Sequence, residues 1–112
     1  MSNENKKAPI DFLAIEGQIM RALKTVYDPE IPVDIYELGL IYEIEVDDDA
    51  IAHVTMTLTT PNCPVADSLV DQVRERVAAT PVVKSADIVL TFEPPWDKSM
   101  MSEEAQLELG YL

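Results

Sequence analysis

One cysteine, Cys63, stands in the run Thr59-Thr60-Pro61-Asn62-Cys63-Pro64, between an alternating apolar stretch and a helical one. That order puts a lone thiol at a strand-to-helix corner, where helix-terminal amides and the helix dipole favour the thiolate. A thiolate there can ligate metal, carry sulfur or attack an electrophile. Asp67 follows one turn into the helix, and Asp28, Glu30 and Asp34 could approach from a proline-rich loop. Carboxylates beside a thiolate oppose its ionisation unless a cation neutralises them. Their presence fits a site whose charge is completed by metal. The competing reading is structural: a small apolar residue tucked under a helix start.

A cysteine nucleophile wants a histidine within hydrogen-bond reach. The chain has one, His53, near the start of the strand that delivers the thiol. At about 3.3 Å per residue this separates the two by roughly 20 Å of straight strand. An intrachain dyad is not expected, and His53 reads as a solvated strand-face residue. As a ligand, one thiol is also too few, because an iron–sulfur cluster or a closed zinc site takes about four ligands. A second subunit would add one thiol, and a client protein or small thiols the rest. Any cluster held here is therefore expected to be shared, transient and transferable, with no tightly bound cofactor.

The formal net charge of −13 excludes nucleic acid as a natural partner, since phosphate recognition needs clustered Lys and Arg. It favours basic surfaces or cations, or serves solubility alone. No apolar run approaches the roughly 20 residues that span a bilayer, so no membrane association is expected. The N-terminus has no signal-peptide pattern. With a free thiol, which survives best in a reducing compartment, this predicts a cytoplasmic protein.

The elements that must position these residues follow from periodicity. Residues 1–10 are polar and read as a flexible tail, leaving 11–112 as a single domain. Asp11 can cap a helix with Phe12, Ile15, Ile19, Leu23 and Val26 at three- and four-residue steps. Pro29 and Pro32 are expected to end it and open the loop Asp28-Pro29-Glu30-Ile31-Pro32-Val33-Asp34. Gly39 reads as a stop or a positive-φ residue in the turn that follows.

Three alternating strands come next. Tyr42, Ile44 and Val46 share one face of the first, and Asp47-Asp48-Asp49 makes the hairpin turn. The second turns Ala52, Val54, Met56 and Leu58 inward and His53, Thr55, Thr57 and Thr59 outward. The third is expected to bury Ala86, Ile88, Leu90 and Phe92. Between the last two, a helix from about Pro64 to Ala79 buries Ala66, Leu69, Val70, Val73 and Val77. The corner Glu93-Pro94-Pro95-Trp96-Asp97 leads to a last helix capped by Ser102 and stopped by Gly110. Trp96 either covers the end of the core or, exposed, anchors an interface. The whole is an α+β two-layer sandwich, in α-β-β-α-β-α order, with a small three-stranded mixed sheet and helices on one face.

Taken together, Asp28-Pro29-Glu30-Ile31-Pro32-Val33-Asp34, Leu38-Gly39-Leu40-Ile41-Tyr42, Thr59-Thr60-Pro61-Asn62-Cys63-Pro64 and Thr91-Phe92-Glu93-Pro94-Pro95-Trp96 resemble one family in order and spacing. It is the iron–sulfur-cluster assembly domain of SufT- and PaaD-like proteins, and the resemblance covers about residues 12 to 112. It implies an α-β-β-α-β core and a non-enzymatic role in maturing iron–sulfur proteins. It also implies that the reactive cysteine maps onto Cys63, with Asp28 and Glu30 beside it. NifU-type relatives carry a Cys-x-x-Cys pair at this corner, where this chain has Ala66 as the second member, so a self-sufficient scaffold is not implied.

The resulting expectation is a SufT-like factor that helps transfer or target clusters to apo client proteins, working with the assembly machinery, with a homodimer as one option. Cys63 would be a transient ligand or sulfur contact. Asp28, Glu30, Asp34 and Asp67 would shape the site, Thr60 and Asn62 would position the corner, and Trp96, Pro94 and Pro95 would offer a partner surface. An interaction adaptor with a structural Cys63 is the alternative, and a thiol-dependent enzyme a more distant one.

Overall fold

Helix α1 (Phe12–Leu23) starts where its cap predicts: Asp11 accepts a hydrogen bond from the Ala14 N–H at 3.1 Å, satisfying one donor of the first turn. The computed structural model describes residues 11–29, 31–59 and 66–111, with the backbone alone described at Ala66 and Asp67; the expected tail at 1–10 lies outside them. Ile15, Ile19 and Leu23 form the buried stripe of α1. The helix ends at Leu23, before the prolines are reached. Thr25 turns its hydroxyl back to the Ala22 carbonyl at 2.6 Å, and the Thr25 and Val26 N–H groups bond three residues back. That tightened turn carries Val26 into the core beyond the helix itself.

Strands β1 (Ile41–Val46), β2 (Ile51–Met56) and β3 (Ser85–Leu90) form one mixed sheet in the order β1-β2-β3. β1 runs antiparallel to β2 and β3 parallel to it, with a bulge between Ile41 and Glu43. At the hairpin, one Asp47 carboxylate oxygen accepts from the Asp49 and Ile51 N–H groups, and Ala50 takes a left-handed φ of 62°. Helix α2 (Ala66–Ala78) makes the crossover between the parallel strands. It packs on β3 and α1 packs on β1, side by side in one layer. A 3-10 turn (Lys98–Met100) and helix α3 (Glu103–Glu108) complete the α-β-β-α-β-α order.

The core lies between these layers. Ala52, Val54 and Met56 of the central strand, Ile19 and Leu23 of α1, and Val73 and Val77 of α2 are all fully buried. Three inward–outward assignments differ from the alternation. Thr57, expected on a wet face, is fully buried. Its N–H bonds to the Leu40 carbonyl at 2.8 Å, while the neighbouring Met56 carbonyl takes the Thr91 N–H at 2.9 Å. Chain therefore flanks the end of β2 on both sides. Leu90 and Phe92, expected inside, are each 38% exposed: Leu90 ends an edge strand that has a neighbour on one side only, and Phe92 lies just beyond it.

The last helix is capped as its sequence predicts. Ser102 accepts from the Ala105 N–H, and Gly110 (φ +82°) lets the Tyr111 N–H reach the Gln106 carbonyl at 2.7 Å. Gly39 shares that φ, but a Cβ there would stand 2.3 Å from the Met100 carbonyl oxygen, whereas at Gly110 it would meet nothing within 4 Å. Gly110→Ala should thus cost about 1 kcal/mol, the left-handed penalty alone. Gly39→Ala should cost about 3 kcal/mol or more. Urea denaturation of both variants measures the difference, and equal losses would refute the close approach at Gly39.

Candidate functional site

The acidic loop after α1 is held by its own backbone. Tyr27 and Asp34 form an isolated antiparallel bridge, and the Ile35 N–H bonds to the Val26 carbonyl at 2.9 Å. Asp28 is 9% exposed; its carboxylate accepts from the Ile31 N–H at 3.0 Å and its own N–H donates to the Val33 carbonyl at 3.3 Å. Asp34 accepts from the N–H groups of both Tyr36 and Glu37 at 3.0 Å, capping the turn that leads to Gly39. These carboxylates bend the chain, as aspartates in turns do.

The loop faces two clefts. One, of about 140 Å³, lies between Tyr27 and Pro29 on the loop and Ser68, Leu69 and Gln72 on α2. It brings the loop against the first turns of the helix that follows the cysteine segment. The other, of about 100 Å³, gathers Asp34 and Glu37 with Glu104 and Glu108 of α3. Glu37 is held below the usual carboxylate range, first by its hydrogen bond with Ser102 and then by Lys24, whose Nζ lies 3.2 Å away; burial works in the opposite direction. Tyr27, 58% exposed, lines both clefts. No motif marks it in the sequence beyond its place directly before Asp28-Pro29. Glu104 and Glu108 were findable from their four-residue spacing, which sets them on one helix face.

Glu30, Thr60, Asn62 and Cys63 lie outside the described residues, as does the side chain of Asp67, whose backbone belongs to the first turn of α2. Of the expected site residues, Asp28 and Asp34 share the one loop. Trp96 sits apart from them in sequence but is half-buried against the core, and its indole N–H donates to the Leu38 carbonyl at 2.7 Å. Pro94 and Pro95 beside it are exposed, and the Pro94 carbonyl accepts from the Tyr42 hydroxyl at 2.7 Å. Among the described residues, no group of three or more His, Cys, Asp or Glu is arranged to hold a metal ion, and no helix is long and apolar enough to cross a membrane.

His53 lies on the open sheet face, with Nε2 2.9 Å from an Asp47 oxygen and Nδ1 3.3 Å from an Asp87 oxygen. Both ring nitrogens are thus engaged by carboxylates at the far end of β2 from the cysteine segment.

These features can be compared with known proteins. The family model described as "iron-sulfur cluster assembly protein" matches residues 16–88, which include both the acidic loop and Cys63. A protein of Porphyromonas gingivalis described as an Fe-S protein maturation auxiliary factor is 58% identical, over 91% of this chain and 97% of its own length. The Fe-S protein maturation auxiliary factor YitW of Bacillus subtilis is 43% identical, over 87% of this chain and 95% of its own. Among solved structures, a domain of unknown function from Bacillus anthracis superposes with a TM-score of 0.82 at 37% identity, covering 90% of this chain and 96% of that one. The chain belongs to the iron–sulfur cluster assembly protein family.

Two predictions follow from the site's surroundings. The pKa of His53 is raised, first by its hydrogen bond to Asp47 and then by that to Asp87, while the same contact lowers the pKa of Asp47. A raised histidine value stabilises the fold fully below its unfolded value of about 6.5 and ceases to do so as pH rises through the folded one. A lowered aspartate value stabilises above about 3.9 and is lost as pH falls through the folded one. The cluster should thus support the fold best between these limits. NMR titration should place His53 above 6.5, with Asp47→Asn bringing it down further than Asp87→Asn; an unshifted wild-type value would contradict the geometry. Trp96→Phe removes one donor from the Leu38 carbonyl and should cost about 1 kcal/mol, read as a lower denaturation midpoint.

Proposed function

We propose that this chain helps transfer or target iron–sulfur clusters to apo client proteins, with Cys63 as the transient ligand or sulfur contact. The observation that carries this reading is the cleft between the loop at Tyr27 and Pro29 and the first turns of α2 at Ser68 and Leu69. Segment 60–65, with the thiol, leads into that helix, whose first turns lie beside the acidic loop. Asp28, Glu30, Asp34 and Asp67 then shape the charge around the thiol, and Thr60 and Asn62 position the corner. A thiolate opposed by carboxylates gains from a cationic metal cargo. Since a cluster takes about four ligands, one thiol per chain leaves the others to a client, a small thiol or a second copy of the chain. Such a cluster is cargo to be released. A free thiol in this role belongs in a reducing compartment, here the cytoplasm.

A second reading has its own support. Exposed Pro94 and Pro95 flank Trp96, and a shallow groove of about 480 Å³ runs past Gly39, Ile41, Tyr42, Pro94 and Met100. This is a surface on which an adaptor would seat assembly machinery, with Cys63 structural.

Complementation separates the two. Cells lacking the protein should lose activity of a cluster-dependent dehydratase such as aconitase. The wild type should restore it and Cys63→Ser, matched in expression, should not. Equal rescue by both would leave the adaptor reading. Undiminished activity in the deletion strain, in iron-rich and iron-poor growth alike, would sink both.

A further inference from the structure

This acidic protein carries a basic cleft. Between the C-terminal ends of α1 and α2 lies an open cavity of about 440 Å³, lined by Gln18, Arg21, Arg76 and Thr80 over a small apolar floor of Ala22, Ala79 and Pro81. No carboxylate lines it, although Asp and Glu outnumber Lys and Arg by 21 to 8 in the chain. Arg21 has no carboxylate partner among the described residues. Arg76 has none either; its Nη1 donates to the Thr25 carbonyl at 3.4 Å and to the Thr25 hydroxyl, leaving most of the guanidinium fork free. Each arginine lies in the last turn of its helix, where a cation complements the dipole. That accounts for one cation per helix, but not for two arginines lining one cleft without a counter-charge.

The cleft also holds two orphaned oxygens. Thr80 is 6% exposed, and its hydroxyl is buried with no hydrogen-bond partner. The Gln18 side-chain carbonyl oxygen, on the facing helix, is buried and unpartnered as well. Buried polar groups left unmade are costly, so a native structure that keeps two of them on one cavity points to a missing partner.

We propose that this cleft docks an acidic peptide segment of a partner protein. The chemistry selects among anions. Two guanidinium groups ask for carboxylates, which they bind bidentately. The Gln18 carbonyl oxygen accepts only, so it asks for an N–H donor, and the Thr80 hydroxyl can donate to a carbonyl. A peptide carrying Asp or Glu supplies carboxylate, amide N–H and carbonyl together. Inorganic phosphate supplies acceptors almost alone and would leave Gln18 unsatisfied. The open shape of the cavity suits a segment laid across it. The cleft is built from residues outside the acidic loop and the cysteine segment, so docking here and work at Cys63 are separable.

The test is an NMR titration of the full chain with the blocked peptide acetyl-Ala-Asp-Glu-Asp-Ala-amide. Its uncharged counterpart with Asn and Gln, and sodium phosphate, serve as comparison probes. Shifts should be confined to residues 18–25 and 76–81 and should weaken with added salt. Arg21→Gln, at an exposed position whose unchanged spectrum elsewhere reports an intact fold, should lower affinity roughly fivefold, the size of one exposed charge pair. Thr80→Ala should weaken binding without changing its salt dependence. The proposal is overturned by no shifts at millimolar peptide, or by equal shifts from the uncharged peptide. Equal binding of phosphate alone would make this a small-anion site instead. Peptide-free shifts that grow with protein concentration would make the occupant a second copy of the chain.

Discussion

At Gly39 two backbone segments meet at a distance that no side chain permits. The Met100 carbonyl stands where a Cβ would be, and the Leu38 carbonyl one residue earlier receives the Trp96 indole N–H. The Ser102 N–H reaches the Glu37 carbonyl at 2.9 Å. The C-terminal third of the chain is in this way clamped to the turn that follows the acidic loop. That clamp brings α3 beside the loop and closes the small acidic cavity between them. It also fixes Tyr42 against Pro94 and so orients the proline corner. A larger residue at 39 would loosen all of these contacts together.

The loop that precedes this clamp is held by its own hydrogen bonds. Asp28 and Asp34 spend carboxylate hydrogen bonds on backbone N–H groups within the loop. A carboxylate so engaged keeps its direction. The loop therefore meets α2 as a preformed wall. A wall of this kind suits the transfer proposed above, because geometry already in place needs no ordering entropy at each exchange.

Charge is distributed with the same economy. Lys24 answers Glu37, Arg74 answers Asp71, and Lys98 lies over the Tyr111 ring. Carboxylates dominate the loop, the hairpin and α3, while the junction of the α1 and α2 C-termini is left basic. One molecule thus carries acidic segments and a local basic cleft.

The sequence by itself determined the elements and most of the core. Period-2 and period-3.6 patterns are local signals, and so are Asp11, Ser102, Gly39 and Gly110, whose chemistry acts within one turn. The motifs likewise indicated the family, since they record residue identities in order. Tertiary structure decided what depends on neighbours distant in the chain. Thr57 alternates as an outward residue, yet Leu40 and Thr91 flank it and it is buried. Leu90 and Phe92 alternate as inward residues, yet an edge strand leaves them half open. Trp96 packs half-buried against the core with its N–H on the carbonyl of Leu38, a partner no local pattern names. The pairing of Arg21 with Arg76 left no trace in the sequence, because no local period links positions brought together only when two helices pack. Periodicity reports which face a residue occupies on its own element; only the packing of elements reports what that face meets.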